Sequence, residues 1–549
     1  MWKKTLKILG IFFAVILISF SIFLFLAITS LQNNNFASAS KYSSISLAIL
    51  NPFSKLTFGK YEDLELLKSI LQLIKEIPKI SEDFNSAIKT GPEENYIVDL
   101  KKLSGVLKNV NEYADVFSKN LDKVPNSLKS KTNEIAQLSN LIPDLIKIID
   151  NLADKDQKII IVFQNSDEIR ATGGFMGSYA VANIENGKII DLTTEDIYDA
   201  EGQFEGFVEA PSGVKEYLSE GKGMRLSNAN WDPDFPVSAK QILQFFALGN
   251  KTNSNTLIAI NPEYAKKILE ITDSITINDY NTIIDKNNIT EVLRTRRDTF
   301  FPGSKQKKHL LSQLLTQLQL KISQLDNKKK IALINETVLE IENNNIQLYS
   351  NIEDIDQIYS KNKFRQEVKS SPDSEYLYLI ESNVGINKAN KNITRNVVID
   401  ADDFNTKVSI NFNNSNRIPT QSNLTNLVEG NEINSDRSNH LGYINYQRII
   451  VKPNYKIKSI KYNDQEILQW NENIYYNYKL EEFKEIGFLF TLKEEELATV
   501  VIELENSQKN LDKFYIQKQP GIPETEYLVK KNGKTISKKL TKNTLFEIQ

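Results

Sequence analysis

Arginines are the residues of this sequence that are best suited to bind an anionic ligand. Arg294, Arg296 and Arg297 form a short cluster, and Arg170 lies far upstream of them. Guanidinium groups that converge on one point can hold a diphosphate through bidentate hydrogen bonds. Clustered arginines more often belong to a solvated or salt-bridged face. These four arginines are therefore candidate ligand-binding residues, with a structural role as the alternative.

Aspartates supply a second candidate chemistry, the binding of a hard cation. Asp196 and Asp199 follow a strand-like segment, and Asp232 and Asp234 flank a proline. Carboxylates are preferred ligands of Mg²⁺, so Asp196 and Asp199 are candidate metal ligands. Asp-Pro-Asp is also a common loop motif, because an Asp side chain caps the turn before Pro. The structural interpretation is favoured for these aspartates.

A glycine-rich segment, Gly173-Gly174 with Gly177-Ser178, can place several backbone N–H groups around a phosphate. However, its pattern matches neither the P-loop nor the dinucleotide-binding fingerprint, and a strand is expected after it. We therefore favour a tight backbone turn at this segment.

Composition excludes several classes of site. The chain has no cysteine and only two histidines, His309 and His440, so disulfides, thiolate nucleophiles and cysteine zinc sites are excluded and a histidine-based triad is disfavoured. The formal net charge of −3, from 67 basic and 70 acidic residues, gives no global attraction to nucleic acid. We expect no nucleic-acid partner.

An uncharged stretch near the N-terminus predicts a membrane anchor. Residues 8–31 contain no charged side chain and follow Lys3, Lys4 and Lys7. A helix of about 24 residues is about 36 Å long and crosses a hydrocarbon core of about 30 Å. Basic residues stay inside, so we expect a cytoplasmic N-terminus and an extracytoplasmic body at the cell membrane. A signal peptide cleaved near Ala39 is the alternative, but the apolar run exceeds the roughly 7–15 residues of such signals.

Changes in hydrophobic period divide the rest of the chain. Apolar residues recur at helical spacing up to about residue 154, and buried-type strands such as 159–163 then alternate with helices. From residue 375 onward, short β runs alternate with Asn-rich turns. The predicted fold class is therefore multidomain: an N-terminal transmembrane helix, an all-α spacer, an α/β domain and an all-β sandwich-like domain. The expected boundaries are a cytoplasmic tail at 1–7, the transmembrane helix at 8–31, a stalk at 32–60, a helical bundle or hairpin at 61–156, the α/β domain at 157–350, a linker at 351–374 and the β-sandwich-like domain at 375–549.

Several strings between about residues 157 and 530 resemble the bacterial domain of unknown function 4012 family. The string around Trp231 is the most distinctive of them. The resemblance implies an architecture but no activity, since the family is defined without one. The strings are Arg170-Ala-Thr-Gly-Gly-Phe-Met-Gly-Ser178, Asp196-Ile-Tyr-Asp199, Asn228-Ala-Asn-Trp-Asp-Pro-Asp-Phe-Pro236, Ile258-Ala-Ile-Asn-Pro-Glu263, Glu381-Ser-Asn-Val-Gly-Ile-Asn-Lys388 and Lys518-Gln-Pro-Gly521.

The order of elements in the α/β part is also similar to that of the LytR-CpsA-Psr family. Members of that family are membrane-anchored enzymes that transfer glycopolymers from polyprenyl pyrophosphate carriers to the cell wall. The resemblance implies an α/β domain of that type, Mg²⁺ as cofactor, and a surface cleft in which arginines hold the pyrophosphate. The catalytic candidates that it implies are Arg170, Asp196, Arg294 and Arg296.

Two positions depart from that enzyme pattern. Thr172 stands where an acidic metal ligand is expected, and Glu195 stands where an arginine is expected. We therefore expect a membrane-anchored envelope protein of unassigned activity that binds or scaffolds a cell-surface glycopolymer or a protein. The alternative is a phosphotransferase that acts on a polyprenyl-linked precursor. In both cases the lipid bilayer is a partner through the N-terminal helix.

Overall fold

A computed structural model of the chain describes residues 19–30, 33, 35–51, 61–90, 96–118, 129–249, 252–290, 305–417, 428–429, 432–433 and 442–548. The chain divides into two compact units. The first comprises the described residues of 1–157, 183–192 and 319–331, and the second those of 158–182, 193–318 and 332–549.

Helices form most of the first unit. Consecutive helices pack against each other through stripes of buried apolar residues such as Leu71, Ile74 and Val106, because side chains three or four positions apart share one helix face. These helices span Phe36–Leu50, Tyr61–Ala87, Leu100–Ser118 and Lys129–Asp154.

The predicted membrane anchor lies largely outside the described residues. Residues 19–30 are helical, whereas 8–18 and 31 are not described. Within the described part of the chain, no helix is both long enough and apolar enough to span a membrane. The anchor therefore stays a prediction. The predicted stalk contains the helix Phe36–Leu50.

Two short strands correct the expectation of a purely helical region at 61–156. They are β1 (Ile88–Thr90) and β2 (Tyr96–Asp99), which pair antiparallel. Strand β2 also pairs with the chain at residues 188 and 189. β-Branched and aromatic residues in both segments favour extended backbone, and sheet pairing outweighs the helical period on either side.

A mixed sheet organises the α/β part of the chain. Its strands are β3 (Gln157–Asn165), β4 (Phe175–Glu185), β5 (Lys188–Asp196), β6 (Thr256–Ile260) and β9 (Ile346–Ser350), in the order β5-β4-β3-β6-β9. Strands β3 and β6 are parallel, and β9 is antiparallel to β6. The run at 159–163 forms β3 as predicted, and Ile160 and Val162 are fully buried. A separate hairpin is made by β7 (Ile275–Ile277) and β8 (Thr282–Ile284).

The turn between β4 and β5 has an Asn-Gly sequence, which favours a β-hairpin. Asn186 and Gly187 have φ values of 52° and 76°. Two consecutive positive φ angles define the hairpin turn whose twist matches that of paired strands, and Asn-Gly tolerates them best.

Helices connect the strands of the second unit and extend beyond the predicted domain boundary. The helix Glu353–Lys361 lies in the segment 351–374 that was predicted to be a linker. Its buried residues Ile355 and Ile358 attach it to the fold, because apolar side chains gain free energy on leaving water. The helices span Ile197–Glu201, Val214–Tyr217, Phe235–Leu248, Pro262–Thr272, Lys305–Ser323, Asn327–Glu342 and Glu353–Lys361.

The C-terminal part is strand-rich, and its two large sheets enclose one apolar core. One sheet has the order β18-β19-β15-β10-β21-β24 and the other β17-β16-β20-β12-β11-β22-β23. Buried residues of both sheets, such as Phe488 and Val500, belong to the same core, as in a β-sandwich. The strands are β10 (Glu375–Ile380), β11 (Ile393–Ala401), β12 (Asn405–Asn414), β13 (Val428–Glu429), β14 (Glu432–Ile433), β15 (Tyr443–Val451), β16 (Tyr455–Tyr462), β17 (Gln465–Glu466), β18 (Asn471–Tyr476), β19 (Glu482–Leu492), β20 (Leu497–Asn506), β21 (Lys513–Gln517), β22 (Thr525–Lys531), β23 (Lys534–Leu540) and β24 (Thr544–Glu547).

Candidate functional site

The glycine loop, defined as residues 169–174, follows β3 and leads into β4, and all of its residues are buried. Gly173 and Gly174 have φ values of 128° and 148°, which side chains with a Cβ rarely adopt. A Cβ on Gly173 would lie 2.5 Å from the amide nitrogen of Asn261, and one on Gly174 would lie 2.3 Å from the backbone of Asn165. The glycines therefore permit close packing of this loop. This geometry favours the tight turn over a phosphate-binding loop.

Arg170 is the sequence-predicted site residue that the structure places most clearly. Its side chain is 1% exposed and therefore buried. One guanidinium nitrogen lies 3.1 Å from a carboxylate oxygen of Glu168. The other donates hydrogen bonds to the carbonyl oxygens of Asn383, at 2.5 Å, and Ile169, at 3.1 Å. Burial lowers the pKa of Arg170 and the Glu168 carboxylate opposes that shift.

A lysine completes this buried ion pair. The amine of Lys388 lies 2.7 Å from the second carboxylate oxygen of Glu168. The guanidinium of Arg170 and the amine of Lys388 lie 5.8 and 5.7 Å from the centre of the Phe175 ring, within the range of cation–π attraction. The two cations thus share one carboxylate and one aromatic ring. We call Glu168, Arg170, Phe175 and Lys388 the Arg170 cluster.

The loop before β22 holds the glycine loop from the sandwich side. The amide of Gln519 donates to the carbonyl oxygens of Arg170, at 3.1 Å, and Glu381, at 2.8 Å. A Cβ on Gly521 would lie 2.1 Å from the carbonyl oxygen of Gly173. The two loops are therefore in backbone contact, and the α/β part and the sandwich are joined at this point.

Uncharged amides surround Thr172, the position where the enzyme pattern expects an acidic metal ligand. The Thr172 hydroxyl donates to the Gln164 side chain at 3.0 Å, and the Asn230 amide donates to that hydroxyl at 3.0 Å. The side chain of Gln347 donates to the Thr172 carbonyl. Asn261 is 1% exposed, and its side chain makes no hydrogen bond to the residues that the structure describes. Because Mg²⁺ binding relies on carboxylates, these donors and acceptors do not fit a Mg²⁺ site.

The Asp-Pro-Asp loop forms a second buried polar cluster. One oxygen of Asp232 accepts hydrogen bonds from the Tyr475 hydroxyl, at 2.7 Å, and from the backbone N–H of Asp234, at 2.8 Å. One oxygen of Asp234 accepts from the backbone N–H groups of Val368 and Tyr478. Burial raises the pKa of Asp232 to about 6. Burial and the neighbouring Asp232 raise the pKa of Asp234 well above its usual value. The loop-fixing role favoured from sequence agrees with these contacts.

Arg448 of β15 connects this loop to the sandwich. It donates to the carbonyl oxygen of Trp231 at 2.7 Å, and its guanidinium carbon lies 4.6 Å from the centre of the Trp231 ring. Glu485 lies 3.4 Å from the same guanidinium. Trp231 is 3% exposed. The arginine therefore pairs with a partly buried acid and anchors the aromatic ring.

The two candidate metal ligands lie at the start of a short helix. Asp196 is 4% exposed, and its carboxylate caps the helix Ile197–Glu201 by accepting from the N–H of Tyr198 at 3.1 Å. Asp199 lies in the first turn of that helix. Among the described residues, no three carboxylate or histidine side chains are close enough to hold one metal ion.

The structure does not test the proposed arginine cleft as a whole. Arg294, Arg296 and Arg297 lie outside the described residues, so their meeting with Arg170 stays a prediction. The sequence interpretation missed Glu168, Lys388 and Arg448. A lone arginine within the apolar strand β15 is a usable signal, because a cation inside such a strand is seldom buried without a partner.

Comparisons with known proteins identify only part of the chain. No curated protein matches it. A solved structure, protein gbs0355 from Streptococcus agalactiae, is 12% identical, with 40% of this chain and 76% of that chain covered and a TM-score of 0.26. Another, the Lin1025 protein from Listeria innocua, is 13% identical, with 39% and 80% covered and a TM-score of 0.17. Residues 154–297 match the family described as "Protein of unknown function (DUF4012)".

Proposed function

We propose that the chain is a membrane-anchored protein of the cell envelope whose extracytoplasmic part binds or positions a surface glycopolymer or a protein without catalysing a reaction. The observation that carries this proposal is the state of Arg170. A phosphate-binding arginine must present its guanidinium to the ligand, whereas Arg170 is buried and shared between Glu168 and two backbone carbonyl groups. The buried guanidinium of Arg170 thus connects the α/β part of the second unit to its C-terminal part, through the carbonyl oxygen of Asn383.

The anchoring part of the proposal rests on the N-terminal sequence. An uncharged run at 8–31 behind three lysines is typical of a retained, N-in transmembrane helix. A reporter enzyme fused after residue 549 should be active outside the membrane, and the chain should remain in the membrane fraction after a carbonate wash. A soluble product that begins near Ala39 would contradict the retained anchor.

The binding part of the proposal can be tested with isolated cell walls. Full-length protein in neutral detergent should sediment with walls that carry their glycopolymers and should sediment less after those polymers are removed. Equal sedimentation with both preparations would rule out the glycopolymer as the ligand and would leave a protein as the binding partner.

A phosphotransferase is the competing function. The full chain would be incubated with Mg²⁺ and a glycopolymer linked to polyprenyl pyrophosphate, and polymer transfer would be measured. We expect no turnover above the protein-free control. Turnover that Arg170→Lys abolishes without lowering the unfolding temperature would overturn the noncatalytic proposal.

A further inference from the structure

The first unit contains a solvent-open cavity of about 410 Å³ that the proposed function does not use. Cavities that bind small ligands have volumes of about 300–1,000 Å³, so this one has room for a headgroup-sized molecule. Its lining is partly apolar and partly polar. The lining residues are Phe36, Ser81, Asn85, Leu325, Asp326, Lys328 and Lys330.

Two lysines give the cavity its positive charge. The Lys330 amine donates to the side chain of Asn85 at 2.5 Å, and it lies 5.8 Å from the centre of the Phe84 ring. Lys328 is exposed. Among the described residues, no salt bridge joins Lys328 or Lys330 to a carboxylate. Burial lowers the pKa of Lys330 and the nearby Asp326 carboxylate opposes that shift; an anion placed beside the amine would oppose it further.

The acidic residue of the cavity is already engaged by the protein. The Asp326 carboxylate accepts a hydrogen bond from the backbone N–H of Lys329 at 2.8 Å, and its carbonyl oxygen accepts from the N–H of Lys330 at 2.9 Å. Asp326 thus caps the helix Asn327–Glu342. The two lysines and one aspartate leave a net positive charge at a helix N-terminus, where the helix dipole also favours anions.

The position of Phe36 relates the cavity to the predicted membrane surface. Phe36 begins the first helix after the predicted anchor, which ends at Leu31. Five residues of chain span at most about 18 Å. If the anchor crosses the membrane, this part of the lining is therefore within reach of the headgroup region on the outer face.

We propose that this cavity binds the phosphate-bearing headgroup of an anionic lipid. Lys328 and Lys330 contact the phosphate, Ser81 and Asn85 provide polar contacts, and Phe36 and Leu325 face the apolar start of the lipid chains. The inference rests on the proposed membrane anchor for the supply of lipid. The recognition chemistry itself requires only a phosphate group with an adjacent apolar moiety.

Binding can be measured with the full-length chain in neutral detergent. Dihexanoylphosphatidylglycerol, dihexanoylphosphatidylcholine and sodium phosphate would be titrated separately and followed by calorimetry. We expect saturable binding of phosphatidylglycerol, with weaker binding of the zwitterionic lipid and of free phosphate. Free phosphate that binds as tightly as phosphatidylglycerol would overturn the assignment to a lipid.

The chain provides a matched control within one tripeptide. Lys328→Gln with Lys330→Gln should weaken phosphatidylglycerol binding by about 10-fold or more, because each lysine contributes separately to anionic-lipid attraction. Lys329→Gln changes a neighbouring lysine that does not line the cavity. It should change phosphatidylglycerol binding by less than about 2-fold, because only lysines beside the bound headgroup contribute strongly to its attraction. Lys328→Gln alone, at an exposed position, serves if the double variant is unstable. Equal losses in Lys329→Gln and the double variant would refute the site.

The same preparation separates this inference from the proposed function. A chain that stays in the carbonate-washed membrane but does not bind phosphatidylglycerol refutes the cavity alone. A chain that binds phosphatidylglycerol in detergent but is recovered as a soluble product refutes the anchor and supports the cavity.

Discussion

Replacement of Arg170 by methionine tests whether its charge is structural. The substitution keeps an unbranched side chain of similar length but removes every hydrogen-bond donor of the guanidinium. It breaks the 3.1 Å contact with Glu168 and the bonds to the carbonyl oxygens of Asn383 and Ile169. Glu168 keeps the amine of Lys388 at 2.7 Å, so its carboxylate is not left without a cation.

The magnitude follows from these contacts. Breaking a buried ion pair by removal of one partner costs about 3–5 kcal/mol, and the remaining Lys388 places Arg170→Met near the lower limit. Two carbonyl groups that lose a donor add about 1 kcal/mol each. We therefore expect the free energy of unfolding of the second unit to fall by about 4–5 kcal/mol.

The assay is urea unfolding of the full chain in neutral detergent, followed by tryptophan fluorescence, because Trp231 lies in the same unit. The double variant Arg170→Met with Glu168→Gln should be less stable than Arg170→Met alone, since the amine of Lys388 then also loses its carboxylate partner. Arg170→Met with an unchanged unfolding midpoint would refute a structural role and restore Arg170 as a ligand-binding candidate.

Three further substitutions, one of them with a matched control, test individual residues of the second unit. Burial raises the pKa of Asp232 to about 6, so the folded state binds this proton more tightly than the unfolded state does. The free energy of unfolding should therefore fall by about 2 kcal/mol as pH rises from about 4 to 6. Asp232→Asn should flatten that pH dependence, which urea unfolding at a series of pH values measures. Burial lowers the pKa of Lys518 to about 8, so stability should rise by up to about 3 kcal/mol between pH 8 and 10, and Lys518→Met should abolish the rise. Gly521→Ala should cost well over about 2 kcal/mol, because its φ is +76° and the new Cβ would lie 2.1 Å from the Gly173 carbonyl oxygen. Gly533→Ala, with φ +80° and no atom within 4 Å, should cost only about 1 kcal/mol, and equal melting temperatures for the two alanine variants would contradict the packing argument.

Elements with a strong local signal could be predicted from the sequence. The apolar run at 159–163 and the Asn186-Gly187 turn satisfy local rules for a buried strand and a hairpin, and both occur. The strands at Ile88–Thr90 and Tyr96–Asp99 were missed because each is short and gains its stability from distant pairing, such as Val98 with Ile189. Local periodicity carries no information about such partners.

The candidate site was less predictable because burial decides what a charged residue does. Arg170 was a binding candidate because it could meet Arg294, Arg296 and Arg297 at an anion and because of the resemblance to the LytR-CpsA-Psr family. The same arginine is structural here because its guanidinium pairs with Glu168, two residues earlier. The other carboxylate oxygen of Glu168 pairs with Lys388 from the sandwich. The acid close in sequence was a usable local signal. The lysine is far away in sequence and becomes a neighbour only through the fold.

The matched family segment, residues 154–297, does not contain all the partners of its own buried groups. The guanidinium of Arg170 donates to the carbonyl oxygen of Asn383, and Asp234 accepts from the N–H groups of Val368 and Tyr478. The carbonyl oxygen of Trp231 accepts from Arg448. Buried polar groups that lose such partners destabilise a fold. The motif residues of the segment therefore attach it to the C-terminal part of the second unit.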